Sequence, residues 1–175
     1  GVMFDRVFAT GTRTVRGLEA LSIGTPPIPG QAVVRRPGNE HLSTLGEQLA
    51  HQGFTSLFLY GGYGYFDNMN AYFGANDYKV VDRTDLPAGS VVFENVWGVA
   101  DESLFDGTLR ELDAASQEHK PFFAHVMTTS NHRPFTYPDG RIDIKSPGGR
   151  EGAVKYTDWA IGRFVEEARR RPWFD

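Results

Sequence analysis

The chain is 175 residues long, 40% hydrophobic, 13% aromatic and 23% charged, a globular composition with enough material for one ordinary domain and its core. Lys plus Arg is 18 and Asp plus Glu is 22, so the formal charge of -4 has the wrong sign for a nucleic-acid-binding surface. The complete lack of Cys excludes disulfides, thiolate metal sites and a Cys nucleophile. The longest apolar runs, around Val91–Phe93 and Phe122–Met127, are too short to cross a bilayer. Gly1-Val2-Met3-Phe4-Asp5 lacks the basic and long apolar regions of a signal peptide.

In chain order, the first predicted element is a helix after Thr14, with Val15, Leu18, Leu21 and Ser22 at near-helical spacing and a stop at Gly24 before Pro26-Pro27. Pro26 to Gly38 is a loop rich in Pro, Gly and Arg. Ser43-Thr44 opens a short amphipathic helix through Leu45, Leu49 and Ala50, with Gly53 as its C-cap. Phe54 to Tyr60 reads as a buried strand ending at Gly61-Gly62. Asp67 to Phe73 is helical, and Asn76 to Ser90 is polar with turn chemistry. A longer helix from Asp101 to Gln117 carries Leu104, Phe105, Leu109, Leu112 and Ala115 on one side.

Phe122 to Thr128 is the second strand. The loop from Ser130 to Gly152 is long enough to suggest function. The last helix, Val154 to Arg170, has a stripe of Val154, Thr157, Ala160, Ile161, Phe164, Val165 and Ala168. Strands alternating with helices define an α/β fold, and both strands are apolar enough to lie inside a parallel sheet. The chain opens in irregular sequence and stops after a helix where another strand is expected. It reads as the middle of something larger.

Several stock motifs are missing: Gly-x-Ser-x-Gly, a Walker-type Gly-Lys-Ser/Thr and His-Glu-x-x-His. Gly61-Gly62-Tyr63-Gly64 lacks full dinucleotide spacing and reads as a strand-to-loop turn. Thr14 opens a helix, where unpaired N–H groups and the dipole stabilise an alkoxide or a bound anion. Arg13 and Arg16 add charge suited to phosphate or sulfate. The competing reading of Thr14 is a plain N-cap.

Ser130-Asn131-His132-Arg133-Pro134-Phe135 follows the second strand, and ligands of open α/β sheets bind beyond the carboxyl ends of strands. His132 and Arg133 are therefore candidates for an anionic ligand, and imidazole can serve as an acid near neutral pH. His125, within the strand, reads as a core residue, and His41, His51 and His119 as surface residues. Asp67-Asn68, and Trp97-Gly98 with Asp101, are weaker candidates because Asp and Asn also cap helices.

Arg13-Thr14-Val15-Arg16-Gly17-Leu18-Glu19-Ala20, Tyr60-Gly61-Gly62 with Phe66-Asp67-Asn68-Met69, and Trp97-Gly98 with Asp101 occur in this order. Pro121-Phe122-Phe123, Thr129 to Phe135 and Val154-Lys155-Tyr156-Thr157-Asp158 follow. Together they resemble the lipoteichoic acid synthase and phosphoglycerol transferase branch of the sulfatase/alkaline phosphatase superfamily. The resemblance covers nearly the whole chain, and its most specific parts are Ser130 to Phe135 and the final helix. It implies a partial α/β/α sandwich, an alkaline phosphatase-like core with a mostly parallel sheet.

Thr14 matches the family's nucleophilic, metal-bound threonine, and His132 a histidine that holds the phosphoglycerol head group. Arg13, Arg16, Arg133 and Asn68 are further substrate-binding candidates. The lipoteichoic branch carries an aromatic–Asn–Arg segment where this chain has Phe66-Asp67-Asn68-Met69. The missing arginine makes it look more like the Gram-negative periplasmic glucan-type relatives. The resemblance also implies that residues 1–175 are one domain fragment, lacking the first strand and the later Asp-His strand that bind metal in the family.

The implied parent is a membrane-anchored enzyme at the periplasmic or extracellular face of the bacterial cytoplasmic membrane. Its cofactor is a divalent ion, manganese or else zinc, magnesium or calcium, expected to be absent from the fragment. Its partners are a phospholipid head group and a cell-envelope glycan or polymer acceptor. Sulfate ester hydrolysis is open on the same fold. The alternative from another class is a non-catalytic domain binding an anionic head group or glycan through Arg13, Arg16, His132 and Arg133. The unpaired sheet edge of such a fragment predicts self-association.

Overall fold

The computed structural model describes residues 3–174. Helix α1 (Thr14–Ile23) ends at Gly24, whose φ of 67° gives the left-handed cap that glycine adopts without strain. Helix α2 (Leu45–His51) is capped by Thr44, whose side chain accepts from the Glu47 N–H. Strand β1 (Thr55–Tyr60) follows, then a 3-10 turn at Phe66–Asn68 that runs into helix α3 (Met69–Gly74). Strand β2 (Lys79–Val81), helix α4 (Asp101–Ser116), strand β3 (Phe122–Met127) and helix α5 (Gly149–Ala168) complete the order.

The three strands form a parallel sheet in the order β2-β1-β3, with Leu57 opposite Lys79 on one side and Ala124 on the other. Alternation along β1 sends side chains to two cores. Phe58 and Tyr60 join Val15, Leu18, Tyr72 and Phe73, and the Phe58 and Phe73 rings stack 3.7 Å apart. Leu57 and Leu59 join Leu104 and Leu112 on the opposite face. Each fully buried side chain of this size contributes about 2 kcal/mol of transfer free energy. The result is the expected α/β layering. Strand β3 has β1 as its one strand neighbour among the described residues, so its outer edge is open.

Three details depart from the sequence reading. Strand β2 lies inside the segment expected to be turns, because Val80 and Val81 pair with Phe58 and Leu59 despite the polar residues around them. The buried stripe of α5 is Gly152, Ala153, Tyr156, Ala160 and Ala168, while Val154 and Ile161 face solvent. Small residues at its start make room for the loop before it, since a Cβ on Gly152 would stand 2.1 Å from the Tyr137 hydroxyl. In α1, Leu21 is exposed and Glu19 is buried, since the Glu19 carboxylate binds Arg16 and the Val33 N–H.

Candidate active site

A cleft of about 230 Å³ opens at the carboxyl ends of β1 and β3, where Tyr60 and Met127 finish their strands. Thr14 and His132 both line it, together with Phe66, Asp67, Trp97 and Asn131. Thr14 is the first residue of α1, and the N-cap position belongs to the extended Arg13. The Thr14 hydroxyl caps nothing and makes no side-chain hydrogen bond among the described residues. It sits where unpaired helix N–H groups favour negative charge.

His132 is held by a network that begins one element away. Asp101, fully buried at the start of α4, accepts from the N–H groups of Thr129 at 3.1 Å and Ser130 at 3.0 Å. Its other oxygen accepts from the Thr157 hydroxyl of α5 at 2.6 Å, and Thr157 in turn accepts from Asn131. The loop after β3 is thereby tied to two helices. The Trp97 indole stacks on the His132 imidazole with centroids 3.6 Å apart. His132 Nδ1 lies 3.0 Å from the Arg133 carbonyl oxygen. A carbonyl can only accept, so Nδ1 carries the hydrogen and Nε2 is left for a ligand.

Two glycines allow this geometry. A Cβ on Gly98 would stand 2.3 Å from the Gly61 carbonyl oxygen, and one on Gly62 would stand 2.5 Å from the Tyr60 ring. The Gly61–Gly62 turn and the Trp97–Val99 segment therefore meet backbone to backbone, and the Val99 N–H donates to the Gly61 carbonyl at 2.8 Å. Burial, reinforced by the Asp67 charge, raises the pKa of Tyr60 and keeps its hydroxyl protonated.

Asp67 gathers positive charge at the cleft. Arg13 reaches it at 3.4 Å and Arg35 at 3.3 Å. Asp67 and Asn68 take φ values of 53° and 63°, the left-handed region in which Asp and Asn are the most tolerated residues after glycine. Arg35 has no counterpart in the sequence reading. It stood in a loop noted only as rich in Arg, with no spacing that ties it to Asp67.

The other candidates lie elsewhere. Arg16 is outside the cleft lining, and its guanidinium binds the Glu19 carboxylate and the carbonyls of Ile28 and Gly30. That makes it a clamp on the loop after α1. Asn68 donates to the Val34 carbonyl at 3.0 Å and lines a neighbouring groove. Arg133 is exposed and does not line the cleft. His125 packs edge-on against Phe58 and Phe73, half-buried at the border of the core.

The donors in the cleft do not by themselves fit a divalent ion. Asp67 is its one carboxylate among the described residues, and each of its oxygens faces an arginine. One hydroxyl and one imidazole fall short of a closed coordination sphere. Glu47, His51 and Asp77 do bring potential ligand atoms within 4.8 Å of one another. They lie at the end of α2 and before β2, at the amino ends of the strands, and so cannot serve Thr14.

A parallel sheet carries buried cores on both faces, and Thr14 and His132 line one cleft beyond the ends of its strands, an alkaline phosphatase-like α/β arrangement. The Sulfatase family profile matches residues 1–174, and the chain belongs to that family. An alkaline phosphatase superfamily protein from Vibrio parahaemolyticus superposes with a TM-score of 0.88 and 39% identity, over 96% of this chain and 42% of its own. The lipoteichoic acid synthase LtaP from Listeria monocytogenes shares the fold, with a TM-score of 0.78 at 20% identity over 91% of this chain and 41% of its own.

Lipoteichoic acid synthase from Staphylococcus saprophyticus is 28% identical over 134 residues, 71% of this chain and 20% of its own length. Phosphoglycerol transferase I from Salmonella arizonae is 26% identical over 187 residues, 92% of this chain and 23% of its own. The chain falls in the lipoteichoic acid synthase and phosphoglycerol transferase-like branch of the superfamily. It spans about a quarter or less of these curated relatives. Among the described residues no helix is long and apolar enough to cross a membrane.

Proposed function

We propose that the chain is the nucleophile-bearing part of a phosphoglycerol transferase, with Thr14 as the attacking group. The observation that carries this reading is the shared cleft of Thr14 and His132, with Arg13 beside it. Thr14 Oγ attacks the phosphorus of a phosphoglycerol lipid, the bond from phosphorus to the lipid oxygen breaks, and the lipid leaves as an alcohol after taking up a proton. An acceptor hydroxyl then attacks the same phosphorus and Thr14 departs, so one displacement is divided into two. His132 Nε2, the acceptor nitrogen in this tautomer, takes a hydrogen bond from a hydroxyl of the glycerol head group. Arg13 offers its charge to the phosphoryl oxygens from just outside the cleft lining, and the α1 N-terminus favours negative charge as the Thr14 oxygen ionises.

A divalent ion bound at Thr14 would lower the pKa of the hydroxyl and polarise the phosphoryl group. Its remaining donors would come from outside the described residues. This agrees with a domain whose first strand and Asp-His strand belong to a longer, membrane-anchored protein acting outside the cytoplasmic membrane. The acceptor is then a cell-envelope glycan or polymer. The open edge of β3 would let the isolated chain self-associate, which sedimentation can measure.

Titration of the chain with sn-glycerol 1-phosphate, followed by NMR, tests the head-group reading. Saturable binding at the cleft that is lost in His132→Ala is the expected result. Binding untouched by His132→Ala would remove the assignment.

A further inference from the structure

Five tyrosines are buried among the described residues, and four of them place the hydroxyl on a partner. Tyr72 meets the Ser22 hydroxyl at 2.8 Å, and Tyr78 accepts from the Gly46 N–H at 2.9 Å. Tyr137 donates to the Ile144 carbonyl at 3.2 Å, and Tyr156 to the Glu102 carboxylate at 3.3 Å. Tyr60 is the fifth. It is 7% exposed, and it lines the cleft that Thr14 and His132 share. Its hydroxyl makes no hydrogen bond among the described residues, and the oxygen is not sealed from solvent.

The strand fixes where this phenol lies. Tyr60 and Phe58 share the face of β1 that packs on Val15 and Leu18, the side of the sheet that carries α1 and its first residue, Thr14. Gly62 makes room for the far end of the ring, since a Cβ there would stand 2.5 Å from the hydroxyl oxygen itself. Of the neighbouring charges, Asp67 acts on the phenol most strongly, and Asp67 is a wall of the same cleft. Burial and that carboxylate keep the proton on the oxygen. Tyr60 therefore brings a neutral donor to the cleft.

We propose that the Tyr60 hydroxyl donates a hydrogen bond to a non-bridging oxygen of the phosphoryl group bound at Thr14. A phosphoryl oxygen can only accept, so it needs a donor. Asp67 and His132 Nε2 are acceptors, suited instead to the hydroxyls of glycerol. A buried hydroxyl without a partner costs stability, and a ligand oxygen in the cleft removes that cost. Placing the phosphoryl group at Thr14 rests on the transferase reading; the contact of Tyr60 with phosphate does not.

The test titrates the chain and its Tyr60→Phe variant with sn-glycerol 1-phosphate and with inorganic phosphate, with tyrosine rings isotopically labelled at Cζ for NMR. Tyr60→Phe removes one unpartnered oxygen and keeps the ring in its core, so it should melt no earlier than the parent. The parent should bind both probes saturably, and Tyr60→Phe about tenfold more weakly. The Tyr60 Cζ signal, assigned by its loss in the variant, should shift as phosphate fills the cleft, which a purely structural role would not produce. Equal affinities in Tyr60→Phe, a Cζ signal that phosphate leaves in place, or a variant that melts earlier because the hydroxyl serves the fold overturns the proposal. Glycerol phosphate binding kept in Tyr60→Phe but lost in His132→Ala removes Tyr60 and leaves the head-group reading intact. Tyr60-dependent phosphate binding by a chain that does not bind glycerol phosphate keeps the phosphoryl contact and removes the head-group reading. Saturable binding of neither probe removes both.

Discussion

The Trp97 indole lies on the His132 imidazole, with ring centroids 3.6 Å apart and planes 29° apart. The stack joins a loop before α4 to the loop after β3, and it limits the directions in which Nε2 can point. Trp97→Ala should weaken sn-glycerol 1-phosphate binding about tenfold by freeing the imidazole, and Trp97→Phe should retain most of it. Isothermal titration of the two variants measures this, and equal affinities in Trp97→Ala and the parent would detach the stack from binding.

Asp101 acts on the same histidine from behind. Asp101→Ala leaves the N–H groups of Thr129 and Ser130 and the Thr157 hydroxyl without their buried acceptor. The expected cost is about 3 kcal/mol of stability, read by urea denaturation. Asp101→Asn keeps an acceptor oxygen and should lose less. Full stability in Asp101→Ala would show that the network adds nothing to the fold.

His125 predicts a pH dependence. Burial between Phe58 and Phe73 lowers its pKa from the ordinary value of 6.5. The folded-state value is therefore below the unfolded one. Its contribution is fully present above pH 6.5 and is lost as pH falls through the depressed value. His125→Gln should flatten the fall in urea midpoint between about pH 7 and about pH 5. An unchanged slope would place the acid sensitivity elsewhere.

Arg16 separates structural from binding charge. Removing it leaves the buried Glu19 carboxylate without its cation and frees the Ile28–Gly30 loop. Arg16→Ala should cost about 2 kcal/mol of stability while glycerol phosphate affinity stays within about twofold. A loss of affinity at unchanged stability would return Arg16 to the site.

What the sequence displayed depended on how local the signal was. The repeat of Leu104, Phe105, Leu109 and Leu112 marked α4, and the apolar runs marked β1 and β3 within a residue or two. Strand β2 escaped because three residues carry no alternation, and only pairing with β1 makes Lys79–Val81 a strand. The stripe of α5 was misplaced because Gly152 and Ala153 are buried under Tyr137 of the preceding loop, a contact that helical spacing does not display.

At the candidate site, the sharing of one cleft by Thr14 and His132 was legible from their positions at element ends. The bonds from Asp101 to Thr129, Ser130 and Thr157 and the Arg35–Asp67 pair were not, since each joins segments far apart in the chain. Asp101 had been visible only as a candidate that helix capping explained equally well.

The most direct test uses the natural polypeptide that carries these residues, incubated with phosphatidylglycerol, quenched in acid and mapped by peptide mass spectrometry. The account predicts a phosphoglycerol adduct on Thr14, with both adduct and turnover lost in Thr14→Ala while the variant stays folded. Turnover that survives Thr14→Ala, or an adduct on a different residue, would contradict it.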